Sequence, residues 1–313
     1  MLGKTAGGLY WMFRYLERSE NTTRLLDAGF RIAITRSSAA KNEWASVVTT
    51  AGVCEAYEQR HEVFEANAVI DFLLRDRANP SSVLSVVEAA RDNARLVRTA
   101  LTREVWEATN ECWMTLTSVL QHPVLTKNLS DVLGTIRQQS ALVRGALHGT
   151  MLRNDIYNFA RLGTFIERAD NTARILDVKY YVLLPSISYV GSSLDNVQWD
   201  SILRSVSGLR AYRWMHGGEV TPTGIADFLI LDGQMPRSLA FCHNKIHDNL
   251  GYLARNYDTR YPCNELADAM LARFRNITIN AILDIGLHQY LEGFLLENNK
   301  LARQIERDFR FSE

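Results

Sequence analysis

Arg14, Glu17, Asn21 and Arg24 stand three and four residues apart, and Glu167, Asn171 and Arg174 repeat that spacing later in the chain. At about 100° per residue these intervals gather each set into one sector of a helix, with Arg18 and Arg168 at its shoulder. Guanidinium and carboxylate groups so placed form planar, two-pronged pairs, and an Asn among them offers both donors and an acceptor. One outcome is a polar network joining two helices, in which every buried charge must be paired. A second is a solvated face, each pair contributing about 0.3 kcal/mol. The third is a pocket whose arginines take an anionic group such as a phosphate or a peptide or amino-acid carboxylate. In that pocket Glu17 or Glu167 could act as acid or base. Paired glutamates can also bind a hard cation. Di-metal helical bundles, however, add Glu-x-x-His on two helices, and neither set has it. No metal site and no cofactor is expected.

Both sets lie within a repeated phrase. Arg14-Tyr15-Leu16-Glu17-Arg18-Ser19-Glu20-Asn21-Thr22-Thr23-Arg24-Leu25-Leu26-Asp27 returns 150 positions later as Thr164-Phe165-Ile166-Glu167-Arg168-Ala169-Asp170-Asn171-Thr172-Ala173-Arg174-Ile175-Leu176-Asp177. Glu20 and Arg24, like Asp170 and Arg174, are four apart with the acid first, the favoured order on a helix. The elements that carry these phrases must be long helices. Residues 8 to 40 place Leu9, Phe13, Leu16, Leu25, Ala28 and Ile32 near the helical period, and residues 153 to 182 form the matching helix up to Pro185.

Elsewhere the pattern is also helical. Helix formers fill 41 to 78 and stop before Asn79-Pro80; Ser81 or Ser82 then caps a helix running through Val87, Ala94, Leu101 and Trp106. Further helices are expected over 113 to 120, 129 to 153, 200 to 215, 223 to 232, 236 to 257, 262 to 289 and 290 to 310, with Pro236 at a first helical position and 185 to 200 as the longest loop. Strand-like alternation is lacking, so the chain reads as an all-α multi-helix bundle of about ten helices, with an internal duplication of the long Glu-Arg helix. It is expected to be one helical domain, 1–313, divisible into pseudo-repeats 1–150 and 151–313.

Composition narrows the function classes. The chain has 313 residues, 35 Lys plus Arg against 35 Asp plus Glu, and an apolar fraction of 47%, which suits a soluble globular protein. Zero formal charge gives no bias toward nucleic acid or an anionic membrane. The positive charge is mostly Arg, for which an Arg-favouring base composition is sufficient cause. Four scattered cysteines form neither a CxxC pair nor a disulfide framework. The start has no signal-peptide pattern and no apolar run is long enough for a bilayer, so a cytoplasmic location is expected.

Other constellations carry less. His243 and His247 are four apart but lack HExxH, so hydrogen bonding is expected rather than zinc. Arg91-Asp92-Asn93-Ala94-Arg95 loosely echoes the marked phrase and could add a third polar helix, though a solvated helical face is sufficient to explain it. Arg237, just after Pro236, sits where a helix start disfavours a cation unless an acid pairs with it; Asp232 or a glutamate of the marked helices could do so. Tyr10, Trp11, Phe13 and Tyr15 read as core packing. Gly7-Gly8 lacks the Lys-Ser/Thr tail of a phosphate loop.

Residues 9 to 27 and 162 to 172, together with 232 to 242 around Pro236-Arg237-Ser238, resemble the alpha-E domain family. That family is bacterial, all-helical and named for a Glu-Arg motif, here Glu17-Arg18 and Glu167-Arg168. The resemblance covers almost the whole chain. It implies company with circularly permuted ATP-grasp proteins and with transglutaminase-like or proteasome-like hydrolases, beside which genes of the family lie. A helical accessory protein that binds a partner or a carboxylate-bearing substrate of an ATP-grasp ligase is therefore the first expectation. The alternatives are an amide-forming or amide-cleaving enzyme and a structural assembly module. Arg14, Glu17, Arg18, Asn21, Arg24, Glu167, Arg168, Asn171, Arg174 and Arg237 are the candidate polar or anion-binding site.

Overall fold

A computed structural model describes residues 1–35, 40–182, 193–217 and 220–312. They form α1 (Gly3–Thr35), α2 (Ala40–Thr50), α3 (Cys54–Glu58), α4 (Ala66–Leu74), α5 (Val83–Leu96), α6 (Arg103–Val119), α7 (Leu129–Thr150) and α8 (Asp155–Val182). The chain continues through α9 (Ser193–Ser205), α10 (Leu209–Met215), α11 (Pro222–Ile230), α12 (Leu239–Asn256), α13 (Pro262–Asn276), α14 (Ile279–Ile285) and α15 (Leu287–Asp308). No strand occurs among the described residues.

The fold is a multi-helix bundle of fifteen described α-helices rather than about ten, because short breaks interrupt what periodicity alone joins. The stretch from 41 to 78 is three helices, α2 to α4. Ser82 caps α5 by accepting from the backbone N–H of Ser85, but α5 ends at Leu96. Thr102 then caps a separate α6, so Leu101 and Trp106 are not on one helix. Pro236 is not a first helical residue: Ser238 is the cap of α12, its hydroxyl accepting from the N–H of Phe241 at 3.0 Å. Residues 193 to 200 are helical where a loop is expected; 185 to 192 lie outside the described residues.

Helices α1 and α8 form the centre and pack on each other. Around them the same arrangement appears twice. Helix α1 lies against α5 and α7, and α8 against α12 and α15; α2 reaches across to α8, and α9 across to α1. Covering from every side explains the broken apolar stripe of α1. Leu9, Tyr10, Met12, Phe13, Leu16, Leu25 and Leu26 are buried, but so are Glu17, Ser19, Glu20, Asn21 and Thr23 between them. Each large apolar side chain contributes roughly 1.5–3 kcal/mol through burial, while the polar ones must find partners inside. Gly163 lets the two helices approach: a Cβ there would lie 2.1 Å from the carbonyl oxygen of Tyr10, a backbone atom with nowhere to go.

Candidate functional site

The repeated phrases face each other across the α1–α8 contact and exchange partners. Arg168 on α8 grips Glu17 on α1 with Nε and Nη2, both at 2.9 Å. Arg18 on α1 grips Glu167 on α8 with Nε at 2.5 Å and Nη2 at 3.0 Å. The polar network joining the two helices thus has two centres, one around each glutamate, each with a two-pronged pair from the opposite helix.

Around Glu17 the space is filled with side chains. Arg237 places Nη1 3.1 Å from a Glu17 oxygen and donates Nη2 to Glu20 at 2.6 Å and Nη1 to Asn21 Oδ1 at 3.1 Å. Arg144 on α7 donates to Glu20 at 2.5 Å and to Glu17 at 3.3 Å. Arg24 binds Glu20 with Nε and Nη2, then donates Nη1 to the carbonyl of Ser205 and to Ser207 Oγ at 2.7 Å. Arg237 therefore pairs with Glu17 and Glu20 rather than Asp232, whose Oδ1 instead accepts from the N–H groups of Gln234 and Met235. The cavity touching Glu17, between Phe13, Leu16, Ser140, Arg144 and Thr164, is only about 10 Å³, close to the least that admits a water.

Around Glu167 the packing is incomplete. Arg14 joins Arg18 there, its Nε donating at 3.0 Å, and Arg174 binds Asp170 on its own helix at 2.6 Å. Asn171 Oδ1 is buried and accepts no hydrogen bond. A cavity of about 240 Å³ opens beside these groups, lined by Arg14, Arg18, Glu167, Asp170, Asn171 and Arg174 and also by Ser81 and Gly52. Asn21 also reaches this cavity, donating Nδ2 to the carbonyl of Glu167. A larger groove of about 910 Å³ lies between the start of α1 and the end of α15, lined by Lys4, Trp11, Arg303 and Glu306; it gathers fewer paired charges than the Glu167 cavity.

Burial alone would raise both glutamates, but the guanidinium groups outweigh it. Arg168, Arg237 and Arg144 hold Glu17 far below the usual carboxylate range, and Arg18 and Arg14 bring Glu167 down to about 2. Burial, partly opposed by Glu17 and reinforced by Arg24 and Arg168, lowers Arg237 to about 10; it remains a cation at neutral pH. Carboxylates so firmly ionised and engaged bind and position charge well but exchange protons poorly near neutrality.

Every candidate residue falls on one of the two centres, divided differently from a single sector. Arg14 and Arg18 serve Glu167, Arg168 and Arg237 serve Glu17, and Arg24 and Arg174 pair within their own helices. Glu20, Asp170, Arg144 and Ser81 complete the centres and were not among the candidates. The Arg91–Arg95 stretch adds no third polar helix to the network: Arg91 donates to Asn110 and stacks over Trp113, while Arg95 and Asp92 are exposed, as on a solvated face. His243 is buried against Phe274 and Phe294, whereas His247 lies 3.0 Å from Asp268. Tyr10 and Phe13 are core residues, but Trp11 and Tyr15 are only half-buried and carry the guanidiniums of Arg14 and Arg18 on their rings. Among the described residues no three His, Cys, Asp or Glu side chains gather as a metal-binding group, and no helix is long and apolar enough to cross a membrane.

An all-helical bundle centred on two Glu-Arg pairs defines the class. The chain belongs to the Alpha-E family, described as a predicted alpha-helical domain with a conserved ER motif, and matches it over residues 1–309. Uncharacterised proteins of Mycobacterium bovis and Mycobacterium tuberculosis are similar to it, each 23% identical over 292 residues. These matches cover 85% of this chain and 31% of each relative, so the chain spans about a third of their length. No solved structure matches it.

Proposed function

We propose that this protein is a helical binding module in which the Glu17 centre is structural and the Glu167 centre receives a small polar ligand or a partner's side chain. The observation that carries this is the contrast between a centre packed with arginine and a like centre left with a cavity of about 240 Å³ beside an unsatisfied Asn171 oxygen. Sites for small ligands are concave and hold a few convergent polar groups. Arg14, Arg18 and Arg174 suit a carboxylate, and Asp170 and Asn171 suit a donor, so an amino acid or peptide is the ligand class with the best match. The family resemblance adds the setting, in which the module serves an ATP-grasp-type ligase, or its companion hydrolase, in peptide or amide-bond modification. The deep ionisation of Glu17 and Glu167 counts against an acid–base enzyme at these residues.

Two pseudo-repeats from an ancestral duplication account for the recurring helix order, with each half contributing one Glu-Arg helix to the α1–α8 contact. Among the described residues, seven α-helices precede residue 151 and eight follow it, in keeping with that origin.

The test is ligand binding and co-purification with an ATP-grasp partner, each compared between the wild-type protein and Glu167→Gln. Loss of binding with the fold retained supports the site. Unchanged binding and unchanged assembly contradict it.

A further inference from the structure

A second correspondence runs through the chain alongside the Glu-Arg phrase. Asp71-Phe72-Leu73-Leu74 and Pro80-Ser81-Ser82 match Asp227-Phe228-Leu229-Ile230 and Pro236-Arg237-Ser238, 156 positions later. The surroundings match too. Tyr57 stacks on His61 at 4.5 Å with Phe72 edge-on, and Tyr212 stacks on His216 at 4.4 Å with Phe228 edge-on. Ser82 and Ser238 cap equivalent helices. Gly52 and Ser207, which follow α2 and α9, both have positive φ, +72° and +57°. Each adjoins the arginine of the opposite phrase, Gly52 beside Arg174 and Ser207 bonded to Arg24.

Apart from Arg144, which only the Glu17 centre has, and Arg14, which only the Glu167 centre has and whose counterpart in the phrase is Thr164, the two centres differ by three truncations, all on the Glu167 side. Ser81 stands where Arg237 stands, Gly52 where Ser207 stands, and Asp170 where Glu20 stands. Each removes atoms from the same place, and together they leave the cavity. The acceptor left over is the counterpart of the one that Arg237 satisfies: Asn21 Oδ1 accepts from Arg237, and Asn171 Oδ1 accepts from nothing.

From this we infer that the Glu167 cavity takes a guanidinium group, supplied by a ligand, in the place that Arg237 fills in the other centre. The inference rests on reading this cavity as a ligand site and adds its specificity. Asn171 Oδ1, Asp170 and Glu167 are the acceptors, and the planar fork of a guanidinium matches them as that of Arg237 matches Asn21, Glu20 and Glu17. Charge permits it. The Glu17 centre holds four arginines (Arg24, Arg144, Arg168, Arg237) against two acids. The Glu167 centre holds three (Arg14, Arg18, Arg174) against Glu167 and Asp170, with Glu306 4.0 Å from Arg14 as a third acid. One more guanidinium restores the count that the filled centre already sustains. The half-buried Arg18 and Arg174, which hold Glu167 and Asp170 through Nε and Nη2, have Nη1 left to offer a carboxylate on the same ligand, which free arginine has and agmatine lacks.

The test is calorimetric titration at matched ionic strength with agmatine, putrescine, L-arginine, glutarate and an end-blocked Gly-Arg-Gly peptide. Agmatine is expected to bind with one site per chain and at least tenfold more tightly than putrescine, which has the charge without the fork. Tighter binding of L-arginine than of agmatine points to a free small molecule, and tighter binding of the peptide to an arginyl side chain; either supports the inference. Ser81→Arg plugs the cavity from the chain itself and removes agmatine binding, while Asn171→Ala weakens it about fivefold or more and decides the matter if Ser81→Arg does not fold. Arg237→Ser opens the matching space in the other centre and raises the stoichiometry towards two. Preference for glutarate over agmatine overturns the guanidinium assignment but leaves the ligand site standing. Agmatine binding that survives both Ser81→Arg and Asn171→Ala overturns it as well. If none of the five binds, the cavity is no ligand site and the proposed function fails with the inference.

Discussion

The centres around Glu17 and Glu167 are built from the same phrase and end in different states. Arg168 and Arg237 seal Glu17 into a place that barely admits a water, whereas Arg18 and Arg14 pair with Glu167 at the wall of an open cavity. The difference does not come from the Glu-Arg motif, which is present in both. It comes from what the surrounding segments bring to it: Arg237 and Ser207 on one side, Ser81 and Gly52 on the other. A motif of this kind sets up paired charges, and its neighbours decide whether those charges form a seam or a site.

The largest effect tests the seal. Glu17→Gln leaves Arg168, Arg237 and Arg144 short of a buried counter-charge and should cost about 3–5 kcal/mol, read as a lower urea midpoint. Glu167→Gln, whose partners Arg14 and Arg18 can draw water through the cavity, should cost about 2 kcal/mol, below that range for one partner of a fully buried pair. Equal losses would erase the distinction between the centres. Next is the approach of the two helices on which both centres depend: Gly163→Ala sets a methyl against the Tyr10 carbonyl and should cost about 1–3 kcal/mol, with both centres disturbed together.

Acid reads the same contrast by titration. Glu17 and Glu167 have folded pKa values below their ordinary value of 4.5. Their contribution is therefore fully present above about pH 4.5 and is lost as pH falls toward 2 and below. In Glu17→Gln the loss of stability over that window should be shallower than in the wild-type protein, as measured by thermal unfolding at stepped pH. The smallest effect is the control. Arg103→Ala removes an exposed pair with Glu107 on α6 and should leave the unfolding midpoint unchanged.

Much of this is legible in the sequence. The helical class follows from sparse glycine and proline and from apolar spacing, and the reciprocal helices follow from the fourteen-residue phrase. Helix ends were legible where a Ser or Thr cap announces them, as at Ser82, and lost where a short 3-10 turn joins two helical runs, as at residues 98–100. Glu20 and Asp170 were legible as partners of Arg24 and Arg174 but not as members of the centres, because their further contacts come from Arg237 and from the open cavity. Arg144 carried no signal at all: it arrives on α7, which has no sequence link to the phrase. Ser81 could have been found. Its match to Arg237 needs an offset of 156 rather than 150, so a comparison at one fixed offset passes over it.

The most direct measurement is a pair of double-mutant cycles on unfolding free energy, Glu17→Gln with Arg168→Gln and Glu167→Gln with Arg18→Gln, each at low and high salt. The sealed Glu17–Arg168 pair should show the larger coupling, about 2–3 kcal/mol, and keep most of it in salt. The Glu167–Arg18 pair should couple more weakly and lose more to screening. Equal couplings with equal salt dependence, or a stronger and salt-resistant Glu167–Arg18 pair, would contradict the division into one sealed and one open centre.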